Sequence, residues 1–313
     1  MVNWISLPLR KPLAGLKSKN VLELLREFQP YIVISTQTIS TGIVAHLKSK
    51  GLYQGRLVAV FSDFHTHTFW VYHEVDLYLC AIAEQVSDLI KLGVPKEKIA
   101  VTGMILAEKF NAKIDKDQAR REAGLLTTMP VILLFNGARP RMGVKAVFTR
   151  LLRSPRSFQI LVVCGLNQEL KTELEKISPP GPHPVKILGY ADNMDVLMSA
   201  ADVMVGKTGG PTMGEALLKK LPIILTNIHP GHEQSNLEYL VRNNIAQYAR
   251  NPTEAVFFVE QILDGKLKKD WEHAFSKLIA PKGAVSVASA IGRIRPEEPE
   301  KYGGITVKNY QEI

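Results

Sequence analysis

The stretch Ala200–Asn236, AADVMVGKTGGPTMGEALLKKLPIILTNIHPGHEQSN, holds the residues whose types and spacing could do chemistry. A short apolar run, Val203 to Val205, meets a turn containing Gly206, Gly209 and Gly210, and Pro211 and Thr212 then open a helix that carries Glu215. A strand, a glycine-rich turn and a helix start present free backbone N–H groups and a positive dipole end to a phosphate. Glu215, one turn further on, is placed to accept hydrogen bonds from sugar hydroxyls, so the pattern reads as a nucleotide-sugar site. Glycine-rich strand-to-helix turns occur throughout α/β proteins. What lifts this one above that background is a second polar loop after the next strand, His229-Pro230-Gly231-His232-Glu233 with Asn236 beyond it. Loops at the carboxyl ends of strands in an open α/β sheet share one crevice.

Other chemistries are excluded by spacing. Gly206-Lys207-Thr208 imitates the end of a P-loop, but that motif needs a glycine at position 201, where this chain has Ala201. There is no zinc spacing, RNA-binding aromatic motif or dense basic helix, so nucleic acid is not an expected partner. The 313 residues suffice for two domains, and 46% hydrophobic with 7% aromatic residues is ordinary for a globular protein. No run approaches the ~20 apolar residues that span a bilayer, and no secretory signal is visible. Cys80 and Cys164 sit at strand ends in different halves and read as buried thiols of a cytosolic protein. A net charge of +9 points to an anionic partner. The first 28 residues set Trp4, Ile5, Leu7 and Leu9 beside Arg10, Lys11, Lys17 and Lys19. This fits either a membrane-surface segment or a helix and loop packed on the first domain.

Apolar runs alternate with amphipathic stretches along the chain. Strands are predicted at 31–35, 57–61, 77–81 and 99–102, then at 131–135, 160–164, 185–188, 202–205 and 223–226; helices are predicted at 21–28, 42–50, 83–92, 253–263 and 284–294. This order predicts an α/β protein with parallel sheets covered by helices. Two Rossmann-like domains are expected to face each other across a cleft: an incomplete N-terminal domain over 1–115, a donor domain over 116–294, and a polar tail over 295–313. The polar stretch 108–129 reads as the crossover between the domains.

Several blocks together resemble one family. The run KTGGPTMGEALLKKLPIIL followed by HPGHEQSN is similar to the donor motif of glycosyltransferases of the GT-B fold. The likeness is to the family 28 branch of monogalactosyldiacylglycerol synthases and processive diacylglycerol glucosyltransferases. SDFHTHTFWVYHEVDLYLCA resembles that branch's TDF-x-x-H-x-x-W segment, LIKLGVPKEKIAVTGM follows it, and VKILGYADNMDVLMSAADVM matches a third block. The resemblance implies a UDP-sugar, UDP-glucose or UDP-galactose, as donor substrate, with no further cofactor. It also implies a lipid acceptor such as diacylglycerol at an anionic membrane surface, and a peripheral enzyme at the cytoplasmic face of the cell membrane. On that pattern Glu215 binds the ribose, while Gly209, Gly210, Pro211 and Thr212 lie against the diphosphate. The backbone around Gly189 and Tyr190 reads uracil, and Gly231, His232, Glu233 and Asn236 hold the transferred sugar.

The chain departs from the pattern at three places. His232 stands where the family has Gln. The loop LFNGARPRMG offers only Asn136, Gly137 and Gly143 for a Gly/Ser-rich loop and adds Arg139 and Arg141, which suit either phosphate or solvent. The family's first strand and its glycine-rich loop ending in His, which carries a leading base candidate, are not found. Transfer needs a base for the acceptor hydroxyl and positive character for the leaving diphosphate. Without a DxD cluster no metal is expected, and Asp63 and His67 are the base candidates present. His65 reads as structural, a zinc site from His65, His67 and His73 lacks a familiar spacing, and Trp70 reads as packing. Alternative functions are N-acetylglucosaminyl transfer to a lipid-linked cell-wall precursor and a UDP-sugar-binding module without turnover.

Overall fold

Parallel strands buried on both faces read as unbroken apolar runs, and the runs of this chain fold in that way. The structure, a computed structural model, describes residues 18–135, 143–178, 181–207, 209–226, 232–267 and 283–294, and of His232 the backbone alone. Among the described residues lie two all-parallel sheets, one of four strands and one of six. Contacts divide these residues into two units. The first contains residues up to Ser62, Thr66–Ile105 and those from Gly283 on; the second contains Asp63–His65 and the remainder.

The first unit runs α1 (Ser18–Phe28), β1 (Ile32–Ser35), α2 (Thr38–Ser49), β2 (Arg56–Val60), β3 (Leu77–Cys80), α3 (Glu84–Lys91) and β4 (Ile99–Val101). Its strands lie side by side in chain order. Right-handed crossovers in one direction place their helices on one face of a sheet. On one face Val21, Leu22 and Leu25 of α1 pack with Ile43, Leu47 and Val33. The other face, carrying Ile32, Val58, Val60, Leu77 and Leu79, is covered from far along the chain. Val287, Ala290 and Ile291 of the helix Gly283–Gly292 pack there. A Cβ on Gly283 would stand 2.1 Å from the Met104 carbonyl oxygen, so only glycine lets this helix start so close to the backbone.

The second unit runs α4 (Lys116–Glu122), β5 (Val131–Phe135), α5 (Gly143–Leu151), β6 (Gln159–Val163), α6 (Gln168–Lys176), β7 (Val185–Leu188), α7 (Met194–Ala200), β8 (Val203–Gly206), α8 (Gly210–Leu218), β9 (Ile223–Leu225), α9 (His232–Arg242), β10 (Ala246–Tyr248) and α10 (Pro252–Leu263). The Gly283–Gly292 helix is then α11. The sheet order is β10-β9-β8-β5-β6-β7. Numbered within the unit this is 3-2-1-4-5-6, whose topological switch point lies between β5 and β8. Ile132, Leu134, Val203, Val205 and Ile224 on one sheet face pack with Val147, Phe148, Leu174 and Val259 of the covering helices.

Each sheet is stapled at its amino end by an aspartate. Asp202 donates its backbone N–H to the Val131 carbonyl at 2.9 Å, while its carboxylate accepts the Val131 N–H at 2.7 Å. Asp76 does the same with Leu57, at 2.9 and 2.8 Å. Buried Arg120 pairs with Asp202 at 2.6 Å and donates to the carbonyls of Thr127 and Ala200. Lys48 pairs with Asp76 at 2.6 Å.

The structure departs from the sequence reading in three places. The units divide between Ile105 and Leu106 rather than after 115, and α11 belongs to the first unit rather than the second. The crossover 108–129 contains α4, whose Arg120 pins the second sheet. Cys80 and Cys164 are buried and free, their thiols pushed up to about 12 and about 11 chiefly by burial.

Asp202→Ala leaves Arg120 buried without its carboxylate and should cost about 3 kcal/mol of unfolding free energy. This would be read as a lower urea midpoint at unchanged slope, and an unchanged midpoint would contradict the stapling role. Gly283→Ala should lower the melting temperature through overpacking worth about 1–3 kcal/mol, and full stability would show that the α11 start can shift freely.

Candidate functional site

The switch point is built from backbone. Gly206 closes β8, and its carbonyl accepts the Thr226 N–H of the next strand at 2.9 Å. A Cβ on Gly206 would meet the Phe135 carbonyl oxygen at 3.0 Å, so β5 and β8 approach there more closely than a side chain comfortably allows. Gly209 then caps α8 in an extended conformation (φ −63°, ψ 122°) without a side-chain cap, Pro211 sits in the first turn, and the Met213 N–H returns to the Gly209 carbonyl at 2.9 Å. The uncapped N-terminus of a nine-residue helix thus opens at the point in the sheet where ligands bind. Thr212 is half-buried one residue on. Thr208 and Gly231 lie outside the described residues, as do Asn136, Gly137, Arg139 and Arg141.

Glu215 projects from the second turn of α8 and is half-buried. Burial pushes its carboxyl up to about 7, with the positive charge of Lys109 acting in the opposite direction. Lys109, in the 3-10 turn Glu108–Asn111, also donates to the Asp192 carbonyl and lies 3.7 Å from the Asp195 carboxylate. Lys109 therefore joins the loop after β7, which carries Gly189 and Tyr190, to the neighbourhood of Glu215. Gly189 is fixed by the Gly165 N–H at 3.1 Å, and Tyr190 is 74% exposed. Lys219 donates to the Ala112 carbonyl at 2.7 Å, and burial holds its ammonium below the usual lysine range. Neither Lys109 nor Asp195 stands out in the sequence. The lysine lies in a polar crossover and the aspartate in an ordinary helix start.

Asp63 and His67 fall in different units. The three residues Asp63–His65 belong to the second, held by α9. Asn236 is fully buried; it donates from Nδ2 to Asp63 Oδ1 at 2.9 Å, and its Oδ1 accepts the Phe64 N–H at 2.9 Å. His65 Nδ1 lies 3.3 Å from the same oxygen, and Phe64 stacks on Tyr239 with ring centroids 5.5 Å apart. Asn236, expected to contact the transferred sugar, thus engages the chain through both ends of its amide. His67 accepts the Phe69 N–H on Nδ1 at 3.1 Å and caps a short 3-10 turn. Trp70 is buried against Phe61. Glu233 is half-buried in the first turn of α9. Among the described residues no set of three or more His, Cys, Asp or Glu side chains is disposed to hold a metal ion.

The family described as Monogalactosyldiacylglycerol (MGDG) synthase matches residues 9–106, and the Glycosyltransferase family 28 C-terminal domain matches residues 105–279. The chain belongs to glycosyltransferase family 28. A relative named processive diacylglycerol beta-glucosyltransferase, from Bacillus thuringiensis (strain Al Hakam), is 29% identical over 287 residues, covering 91% of this chain and 74% of the relative. The Staphylococcus aureus MnaA–UDP co-structure superposes with a TM-score of 0.65 at 13% identity, covering 90% of this chain and 80% of that one. Acinetobacter baumannii MurG superposes with a TM-score of 0.62 at 12% identity, covering 88% and 77%. These likenesses give the family 28 chain the GT-B fold, with its two Rossmann-like units.

The raised Glu215 carboxyl has a consequence for stability. Folding favours its protonated form, so its contribution is fully present below its ordinary value of 4.5 and is lost as pH rises through about 7. Glu215→Gln should flatten the fall in melting temperature between those two pH values. An identical pH profile in the variant would contradict the buried placement of Glu215.

Proposed function

We propose that this family 28 chain transfers a hexose, glucose in the first instance, from its uridine diphosphate to diacylglycerol or a similar lipid at a membrane surface. The observation that carries the reading is the uncapped start of α8 at the switch point of a 3-2-1-4-5-6 sheet, with Glu215 one turn behind it. Backbone N–H groups at Gly210 and Thr212 would meet the diphosphate. Glu215, charged above pH 7, would accept both ribose hydroxyls. The name of the Bacillus thuringiensis relative supports the choice of glucose and diacylglycerol.

The reaction asks for one displacement. The acceptor hydroxyl oxygen forms a bond to the anomeric carbon, the bond from that carbon to the β-phosphate oxygen breaks, and the configuration inverts. The electron pair leaves with uridine diphosphate, whose growing charge faces the positive end of α8. The hydroxyl proton goes to a base, and Asp63 is our assignment. His67 is a weaker choice because its Nδ1 already accepts the Phe69 N–H.

Membrane approach is part of the proposal. No helix among the described residues is long and apolar enough to cross a bilayer. On α1 the exposed pair Leu24 and Phe28 lies beside Glu23 and Glu27 as well as Lys19 and Arg26, while Val21, Leu22 and Leu25 pack inward. Residues 18–28 thus form a helix packed on the first unit that leaves Leu24 and Phe28 exposed. The basic residues 10, 11 and 17 lie outside the described residues.

The test is calorimetric titration with uridine diphosphate, followed by a product assay with UDP-glucose and diacylglycerol in anionic vesicles. Binding and glucoside formation are expected, and Glu215→Ala should weaken uridine diphosphate binding by about 1–3 kcal/mol. Binding without product would leave a UDP-sugar-binding module, and absence of binding would remove the donor site altogether.

A further inference from the structure

Three residues of the chain, Asp63–His65, are held by one side chain 171 to 173 positions away, and that side chain is an asparagine with no exposed surface. We infer that Asn236 is a positioning residue for transfer: it aims the Asp63 carboxylate and ties that aim to helix α9, whose first turn carries the sugar-contact candidates. The inference rests on the proposed transferase reading and extends it to how the base is held.

The amide chemistry makes the assignment specific. An asparagine side chain offers one acceptor oxygen and one donor nitrogen. The Phe64 backbone can only donate, so the N–H at 2.9 Å fixes which end of the amide is oxygen. The nitrogen must then face Asp63 Oδ1, also at 2.9 Å. His65 Nδ1 lies 3.3 Å from the same oxygen, within reach to donate to it in the tautomer that carries the proton on that nitrogen. Phe64, 2% exposed, is clamped by its parallel stack on Tyr239, 3% exposed and three residues beyond Asn236 on α9.

No isostere does the same work. Aspartate at 236 would set a second carboxylate against Asp63, and leucine would leave the buried Phe64 N–H without an acceptor, at a cost comparable to a lost hydrogen bond. Glu233 precedes Asn236 by three residues, so the two share a side of α9. A shift of α9 on engaging the sugar would therefore carry Asp63 with it. A misplacement of about 1 Å at a reacting group can cost roughly 100-fold in rate.

The test compares wild type with N236A, N236D, D63N and the double variant D63N/N236A. Each is assayed for kcat and KM with UDP-glucose and diacylglycerol vesicles, and for uridine diphosphate affinity by calorimetry. N236A should lower kcat at least about tenfold while uridine diphosphate affinity stays within about twofold. N236D, which keeps an acceptor for Phe64 and guards against loss of fold, should move the acid limb of the kcat profile to higher pH through its like charge. N236A should cost nothing further in the D63N background. The inference is overturned if folded N236A keeps its kcat, if its loss appears only in the donor KM as for a direct sugar contact, or if the two variants are additive. A wild type that binds uridine diphosphate but forms no glucoside also overturns it while leaving the donor site standing. A wild type that binds no uridine diphosphate removes the transferase reading itself.

Discussion

The site depends first on the Asp202 staple. β5 and β8 are the two strands whose carboxyl ends frame the switch point, and Asp202 joins them at their amino ends by a reciprocal pair of hydrogen bonds with Val131. Buried Arg120 pairs with that carboxylate at 2.6 Å and holds it in place. Register in a parallel sheet is otherwise fixed only by side-chain burial, and a slip by one residue would turn every side chain to the other face. With the register set, Gly206 falls where β8 comes closest to the Phe135 carbonyl, and α8 begins where a phosphate can meet its backbone.

From that frame the chemistry follows by burial. α8 brings a positive helix end with free backbone N–H groups, the kind of feature that favours an anion. Glu215 is drawn out of water by the same helix, and its carboxyl rises to about 7. Lys109 opposes that rise and at the same time grips the loop after β7 through Asp192. One half-exposed lysine thus links two segments that the proposed function places on the same nucleotide.

Much of the fold is legible in the sequence because both-face burial writes parallel strands as apolar runs. VILLF, RLVAV and QILVV fall within a residue of where they are expected. Strand β10 escapes because its three residues, AQY, are neither long nor uniformly apolar. Helix α11 is legible as a helix but not as part of the first unit, since its apolar residues fit either sheet and only Gly283 against Met104 reveals the match. The glycine turn and Glu215 are readable as a strand-to-helix turn and a helix residue one turn on, and the structure puts both on α8 at the switch point. The engagement of Asn236 is not readable: its motif suggests sugar, and its partners lie 171 to 173 residues back along the chain. Lys109 and Asp195 carry no local pattern, and their pairing exists only once α7 and the 3-10 turn are packed.

The most direct test of the account is a crystal structure of the chain with uridine diphosphate. The account predicts diphosphate oxygens within about 2.7–3.2 Å of the backbone N–H groups at Gly210 and Thr212, with the ribose hydroxyls on Glu215. Uridine diphosphate bound elsewhere, with the start of α8 turned away from it, would contradict the account.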